Sequence, residues 1–545
     1  ILKADSKTDA SDTAKKNVTV TVLGNTGAYP ELFPQVNNPN PMPAVLPTIQ
    51  EWYGYEGDFA LQEGSAIVIN DAANVGLMAV AQEFQADLEE ICGIKLSIRQ
   101  GKDGGSRDIY LESLTDDVYG TGPEGYLMVT GEKGIRIYSS TRTGVLYGTV
   151  TTEQILYQDA AHRNVPKGVI RDYPLYAVRG LTFDVARIPT RFRFLEDYSK
   201  ILKWYKINEM QLHLNDNQWS EPAYSPDYEK WKEVEASHRL ESELFPSLAT
   251  MDSKFMTQRD YEGRYDYYYG THTGTGGELY YTKEQYSSLQ QDAADRGIEL
   301  LMELDTPGHS TPYTKYVYEN QEEVIRALAD HNYLEESDYF NADGSLKDGA
   351  SFYIHNPNYF ELLSIDEESG NTVERQNAIN ARIFMTALFD EYLGGSDPLV
   401  KAKTVNAGVD EYWDHSKGNA FRRYMNFMQE LLGEKYGKEV RMWGSLNNFP
   451  GNTQVNKDII IEVWNTSEES PLARIAEGFR VINIPQPYMY TTPGRYHKDM
   501  VNEAFVYYNW DPVIFNGNIR AEKGEPLLLG AKAVLWGDEN REGIT

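Results

Sequence analysis

The chain has 545 residues, 41% hydrophobic and 24% charged, a balance that excludes a disordered or fibrous polymer and leaves enough apolar surface for a large core. Its net charge of −31 repels phosphate backbones and anionic lipid, so nucleic acid and sulfated or sialylated polymers are disfavoured and a neutral ligand is indicated. Cys92 is the single cysteine, which excludes an internal disulfide and any thiolate metal cluster; its place in the apolar stretch 88–94 marks a buried structural thiol.

No apolar run approaches the ~18–20 residues that span a bilayer, so no membrane insertion is expected. Ile1-Leu2-Lys3 shows neither an initiator Met nor a signal-peptide core, and the chain is read as trimmed. Residues 1–45 form a polar lead-in with one short strand at 18–23. Residues 46–172 mix short β runs (66–70, 108–111, 125–130, 134–139) with helical stretches (75–90, 144–157), the pattern of a small α+β domain.

After Pro174 the rhythm becomes apolar strand, polar loop, helix. Strands are predicted at 178–186, 209–216, 299–305, 403–411, 439–445, 458–465, 479–485 and 532–538. Eight such units predict an α/β fold, a closed (β/α)8 TIM-like barrel over 173–545. An open doubly wound sheet is the runner-up, but no Gly-rich phosphate loop follows the first strand. Two connections, 217–281 and 311–401, far exceed the usual ~2–6 residues and are expected to shape a site; the first holds the aromatic segment 261–269, which either caps a ligand or is a solvated loop. The last strand leaves only seven residues before the C-terminus. There is no room for an eighth helix, so either the chain is cut there or the barrel is open on that side.

Catalytic groups of such barrels sit at the C-terminal ends of strands. Strand one carries Arg179, Asp184 and Arg187, strand two ends in His213-Leu214-Asn215-Asp216-Asn217, and strand three ends in Glu303-Leu304-Asp305-Thr306-Pro307-Gly308-His309. Strand four ends in Asn406-Ala407-Gly408-Val409-Asp410-Glu411. Strands five, six and eight end in Trp443, Trp464 and Trp536-Gly537-Asp538, and strand seven runs into Tyr488 and Tyr490. The tripeptide Asp410-Glu411-Tyr412 also occurs as Asp390-Glu391-Tyr392, but there it lies in a helical stretch where two acids make a solvated face.

The order Arg-Gly-x-x-x-Asp-x-x-Arg, His-Leu-x-Asp-x-Gln, Glu-x-Asp-x-Pro-Gly-His, Gly-x-Asp-Glu and Trp-Gly-Asp resembles glycoside hydrolase family 20, the β-N-acetylhexosaminidases and lacto-N-biosidases, over roughly 172–538. Residues 125–156 resemble the end of that family's accessory domain. Two positions depart from the family pattern: a frequent His is Asn406, and a second Gly is Val409.

The resemblance implies a retaining hydrolase of β-N-acetylhexosaminides in which the substrate's own acetamido oxygen attacks the anomeric carbon. Glu411 would then be the proton donor, with a raised pKa, and Asp410 the ionised group that holds the acetamido N–H. Trp443, Trp464 and Trp536 would wall the acetamido methyl, although any one of them could equally be core. His309 would hydrogen-bond near the carboxylate pair, Arg179 would grip sugar hydroxyls, and Tyr488 or Tyr490 would contact the acetamido carbonyl. As the two are two apart on an extended segment, both share a face. Asp216 and Asp538 join the substrate-binding set, while Asp184, Glu303 and Asp305 pair with Arg187 or other barrel charges.

No metal or other cofactor is expected, since His213, Asp216, Asp305 and His309 lack metal-ligand spacing. The expected partner is a neutral oligosaccharide containing β-linked GlcNAc, in an extracellular or cell-surface location; oligomeric state is left open. The missing carboxylate two residues after either tyrosine, with Asp538 in place of a Glu, points to release of the disaccharide Gal-β1,3-GlcNAc rather than a single GlcNAc or GalNAc. A non-catalytic carbohydrate-binding protein is the rival from another class.

Overall fold

The computed structural model describes residues 32–187, 190–217, 227–232, 234, 236–250, 280–492 and 501–537. They fall into two compact units, the chain up to Leu175 with the short pieces 201–206 and 295–297, and the rest. The predicted strand at 18–23, the aromatic segment 261–269 and Asp538 lie outside the described residues.

The first unit is a seven-stranded mixed sheet carrying two helices, Leu77–Cys92 and Arg142–Gln158. All four predicted strands are present, and Glu51–Ala60, Ser97–Gln100 and Asn164–Asp172 join them. The first and last of these pair antiparallel along most of their length. Cys92 ends its helix 5% exposed in the apolar core.

The second unit is a closed barrel of eight parallel strands: Val178–Asp184, Glu209–His213, Glu299–Thr306, Thr404–Gly408, Glu439–Trp443, Ile460–Val463, Arg480–Asn483 and Leu528–Leu535. Closure is direct, because strand eight pairs with strand seven through Val481 and Leu528 and with strand one through Gly530 and Val178. The open-sided alternative is thereby corrected: hydrogen bonds between strands shut the sheet, and no eighth helix is needed to do it. Leu300, Leu301, Ile460 and Ile461 are at most 1% exposed, as expected of parallel strands covered on both faces.

The barrel axis is charged. Arg441 clamps Glu209 through two bonds of 2.5 and 2.6 Å and lies 3.6 Å from Glu462. Glu462 also binds Lys532 at 2.7 Å, and Lys532 reaches Gln211. Gln211 then donates to Glu303 at 2.7 Å. A file of buried charges therefore runs from the N-terminal ends of the strands to the floor of the C-terminal end. Among the described residues, no helix is long and apolar enough to cross a membrane.

Candidate active site

Strand four ends at Gly408, three residues before the predicted end. Gly408, Val409 and Glu411 all adopt positive φ, at 73°, 85° and 44°, so the acidic pair stands on a left-handed loop and not on a strand. Asn406, at the position of the family's His, makes that turn: its Oδ1 accepts from Gly408 N at 2.8 Å and its Nδ2 donates to Glu462 at 2.8 Å. Val409 N donates to Asp305 Oδ1 at 3.2 Å. Strained backbone of this kind persists only where its surroundings over-determine it.

His309, itself at φ 47°, links the loop to strand two. Its Nε2 lies 3.2 Å from Glu411 Oε2 and its Nδ1 lies 3.0 Å from Asp216 Oδ1. The other Asp216 oxygen takes Arg187 at 2.7 Å and His213 Nε2 at 2.6 Å. Asp216 is 1% exposed, so in place of the expected substrate contact it is the buried anchor of His309. His213 continues the chain, with Nδ1 3.0 Å from Glu303, and Glu303 also accepts from the Trp443 indole at 2.7 Å.

Arg179 is not brought to the site. It is the second residue of strand one, just before Gly180, which is level with Glu209, whereas Asp184 is level with His213; its guanidinium donates to Tyr176 O at 3.0 Å. Arg187 occupies the position expected of Arg179. It pairs with Asp184 at 3.0 Å and lies over the Trp536 ring at 5.5 Å.

Trp443, Trp464, Trp536 and Tyr490 belong to one apolar cluster. Trp443 lies 5.9 Å from Trp536, which meets the Tyr490 ring at 6.0 Å. Trp443 is 1% exposed and backs the wall, while Trp464 and Trp536 remain partly exposed. Tyr488 falls elsewhere: the segment Gln486–Met489 is a helical turn, which turns Tyr488 against Phe505 at 4.9 Å. The expectation of a shared face fails because the segment is not extended there.

The electrostatics also differ from expectation. Burial pushes Glu411 up, but the hydrogen bond and charge of His309, with Arg187, hold it below the ordinary Glu value. Asp410 is the raised member, at about 6, through burial and the charges of Glu411 and Glu303, which His309 only partly offsets. Burial and the Asp410 charge push Asp305 well up, and its hydrogen bond to Asp410 in turn lowers Asp410. Burial opposes the Asp216 charge, yet Arg187 and His309 keep it far below the usual carboxylate range. In return the His309 imidazole is held well above its ordinary value, burial being outweighed by Asp216 and Glu411.

Glu361 escaped the sequence reading. It lies on the short strand Tyr359–Leu363 inside the long connection and is 1% exposed. It hydrogen-bonds Asn217, and burial raises it to about 8 within reach of His309, Asp216 and Glu411. A lone Glu in Tyr-Phe-Glu-Leu-Leu was the available signal. The second tripeptide behaves differently from a merely solvated face: Asp390 binds Lys435 at 2.6 Å, and Glu391 binds Lys283 at 2.9 Å and Ser242 at 2.6 Å.

Two donor sets lie within 4.8 Å, His213–Glu303–Asp305 and Asp305–His309–Asp410. Both nitrogens of each imidazole lie within 3.2 Å of a carboxylate, so the same residues also form the charge network that links Glu303 to Glu411.

A parallel barrel that delivers a carboxylate pair beside an indole wall at its C-terminal end has the layout of a glycosidase. Residues 176–543 match the catalytic domain of glycosyl hydrolase family 20 and residues 42–173 match that family's domain 2, so the chain belongs to glycosyl hydrolase family 20. A lacto-N-biosidase of Bifidobacterium bifidum is 25% identical over 509 residues, 91% of this chain and 38% of that protein. This chain therefore spans well under half of that relative. A β-hexosaminidase of Vibrio furnissii is 25% identical over 523 residues, 90% of this chain and 72% of that protein. The fold is shared with Streptomyces plicatus N-acetyl-β-hexosaminidase, solved with Thio-NAglucal, at TM-score 0.63 and 21% identity over 93% of this chain and 87% of that one.

Proposed function

We propose that this chain hydrolyses β-N-acetylhexosaminides with retention, using the substrate's acetamido oxygen as nucleophile. One observation carries the reading. Of the described carboxyls that the barrel strands deliver, Asp184, Asp216, Glu303, Asp305 and Glu462 are all 6% exposed or less and spent on the partners described above. None of these five is placed to attack a sugar from the face opposite Glu411, which supports, among the described residues, the substrate-borne nucleophile that the family resemblance implies.

Glu411, with 35% of its side chain exposed, gives its proton to the leaving oxygen and later takes one from water. Asp410 keeps one buried oxygen, Oδ1, without a hydrogen-bond partner among the described residues. An unpaired buried acceptor is costly unless a donor arrives, and the acetamido N–H is such a donor. In this reading the indole wall holds the methyl, and the packing of Tyr490 against Trp536 supports it, rather than Tyr488, as the tyrosine that meets the carbonyl.

The role of Asp410 requires its ionised form, so its raised value sets an acidic limb. The carboxyl is neutral below about pH 6 and charged above it, and kcat/KM is expected to rise through that region and level off. In Asp410→Asn the limb is expected to vanish along with most of the rate. A limb near pH 6 that survives the substitution would assign it to another group.

Within this chemistry we favour release of the disaccharide Gal-β1,3-GlcNAc. The residue two beyond Tyr490 is Thr492, 1% exposed, so no carboxylate stands there to grip a terminal hydroxyl, and the Bifidobacterium bifidum lacto-N-biosidase aligns over most of the chain. Release of single GlcNAc or GalNAc is the second reading, favoured by Arg187, which sits beside Trp536 where it can bind the hydroxyls of a terminal sugar. Assaying aryl β-GlcNAc against aryl β-lacto-N-bioside decides: disaccharide release expects cleavage of the second, and efficient cleavage of the first alone would sink it.

A further inference from the structure

Trp413 stands two residues beyond Glu411 with 40% of its surface exposed. The residue between them explains the placement. Tyr412 is 1% exposed; Asn356 Nδ2 donates to its hydroxyl at 3.1 Å, and the hydroxyl donates to Leu363 O at 3.2 Å. Its ring packs 6.1 Å from both Phe421 and Phe449. With Tyr412 pinned inward, its two neighbours in the chain stay accessible, Glu411 with 35% of its side chain exposed and Trp413 with 40%. The turn that follows is fixed as well, by His415 edge-on to Phe449 at 5.3 Å and by Lys417 on Glu374 at 2.6 Å.

The loops after strands five and six supply polar groups near the same place. Asn448 donates its amide to Glu468, and Asn447 N donates to Glu468 O at 3.0 Å. Phe449, next to Asn448, packs edge-on to His415 at 5.3 Å, which sets this loop beside the segment that carries Glu411 and Trp413, and the Glu468 carboxyl feels the charges of both Glu411 and His415.

A general acid must lie on the leaving-group side of the bond it protonates, within hydrogen-bond reach of that oxygen. Groups that flank Glu411 therefore face the departing group, while the indole wall faces the acetamido sugar. An exposed indole offers a flat apolar face for the C–H side of a pyranose. A neighbouring amide and carboxyl offer a donor and acceptors for its hydroxyls.

We propose that Trp413, with Asn448 and Glu468, binds the leaving-group sugar, which makes this chain selective for glycosides whose aglycone is itself a sugar ring. The inference rests on Glu411 as the proton donor. It is independent of whether one sugar or two is released.

The test uses whichever glycosyl unit the native chain accepts, GlcNAc or lacto-N-biosyl, attached once to lactose and once to azide. Azide is a leaving group too small to cover an indole. Trp413→Ala is expected to lower kcat/KM on the lactose glycoside by about tenfold, the scale of one aromatic contact, chiefly through KM. Turnover of the azide is expected to stay within about twofold, and Trp413→Phe to retain part of the lactose preference. Equal losses on both substrates, or no loss on either, would overturn the proposal. Glu411→Gln on the same pair tests the underlying reading separately: undiminished turnover of the lactose glycoside would remove Glu411 as donor, and with it the ground for placing the aglycone beside Trp413.

Discussion

Glu411→Gln is expected to lower kcat by about 10²–10⁴ on glycosides with poor leaving groups, the range for losing general acid catalysis, and far less on activated aryl glycosides. Gln is isosteric and can keep the 3.2 Å contact to His309, so the loss reports the proton and not the fold. The Asp216 and Glu411 carboxylates beside the His309 imidazole outweigh burial and favour its charged form. On the proposed reading, a sugar that covers Glu411 would strip water from its carboxylate and favour the neutral acid, and a proton is expected to pass from His309 to Glu411 as the substrate seats. Comparing kcat over a series of leaving groups checks this. A flat ratio of variant to native rate across the series would end the assignment.

Gly408→Ala is expected to cost about 2–5 kcal/mol of stability and to cut turnover in the fraction that still folds. An added Cβ would sit 1.8 Å from Asp305 Oδ1 and 2.5 Å from Asp305 Cα. A left-handed φ of 73° adds about 1–2 kcal/mol for any L side chain, and the overpacking about 1–3 kcal/mol more. Asp305 cannot move aside, because strand three is hydrogen-bonded on both edges and Asn215 holds the Asp305 N–H at 2.7 Å. The loop must shift instead, and it carries Asp410 and Glu411. Gly308 guards the other side, where a Cβ would lie 2.4 Å from Asp410 O. Denaturant unfolding together with kcat per folded molecule measures both effects. A variant as stable and as active as the native chain would show that the loop has slack.

The eight barrel strands were legible because each is a short apolar run bounded by polar loops, and the periodicity of buried parallel strands leaves that trace. Their ends were less so. Arg179 is the second residue of strand one, whereas Arg187 lies three residues past its end at Asp184, so roughly 17 Å of strand rise separates Arg179 from the end that Arg187 overhangs. Only the level at which strand two meets strand one, Asp184 beside His213, says which arginine reaches the site. The strand-four end was overrun for a related reason: Val409 reads as a strand residue, yet its φ of 85° is imposed by Asp305, which is remote in sequence. Tyr488 and Tyr490 were inseparable because Pro487 starts a helical turn where an extended segment was assumed. The proton balance was the least legible. Two adjacent acids in a sequence do not reveal that an imidazole lies beside Glu411 and that Asp305 hydrogen-bonds Asp410.

The charged file along the barrel axis bears on how this scaffold can change. Each member is satisfied by the next, Glu209 by Arg441, Glu462 by Lys532, and Glu303 by Gln211 and Trp443, and deleting one partner of a buried pair costs about 3–5 kcal/mol. A single substitution in the file strands a charge in the interior, so its members can only be exchanged in matched sets. Loops that rise from the strand ends, such as those bearing Trp413 and Asn448, carry no such obligation. New substrate preferences in this lineage are accordingly open to one-step change at the rim, while the axis behaves as an inherited block.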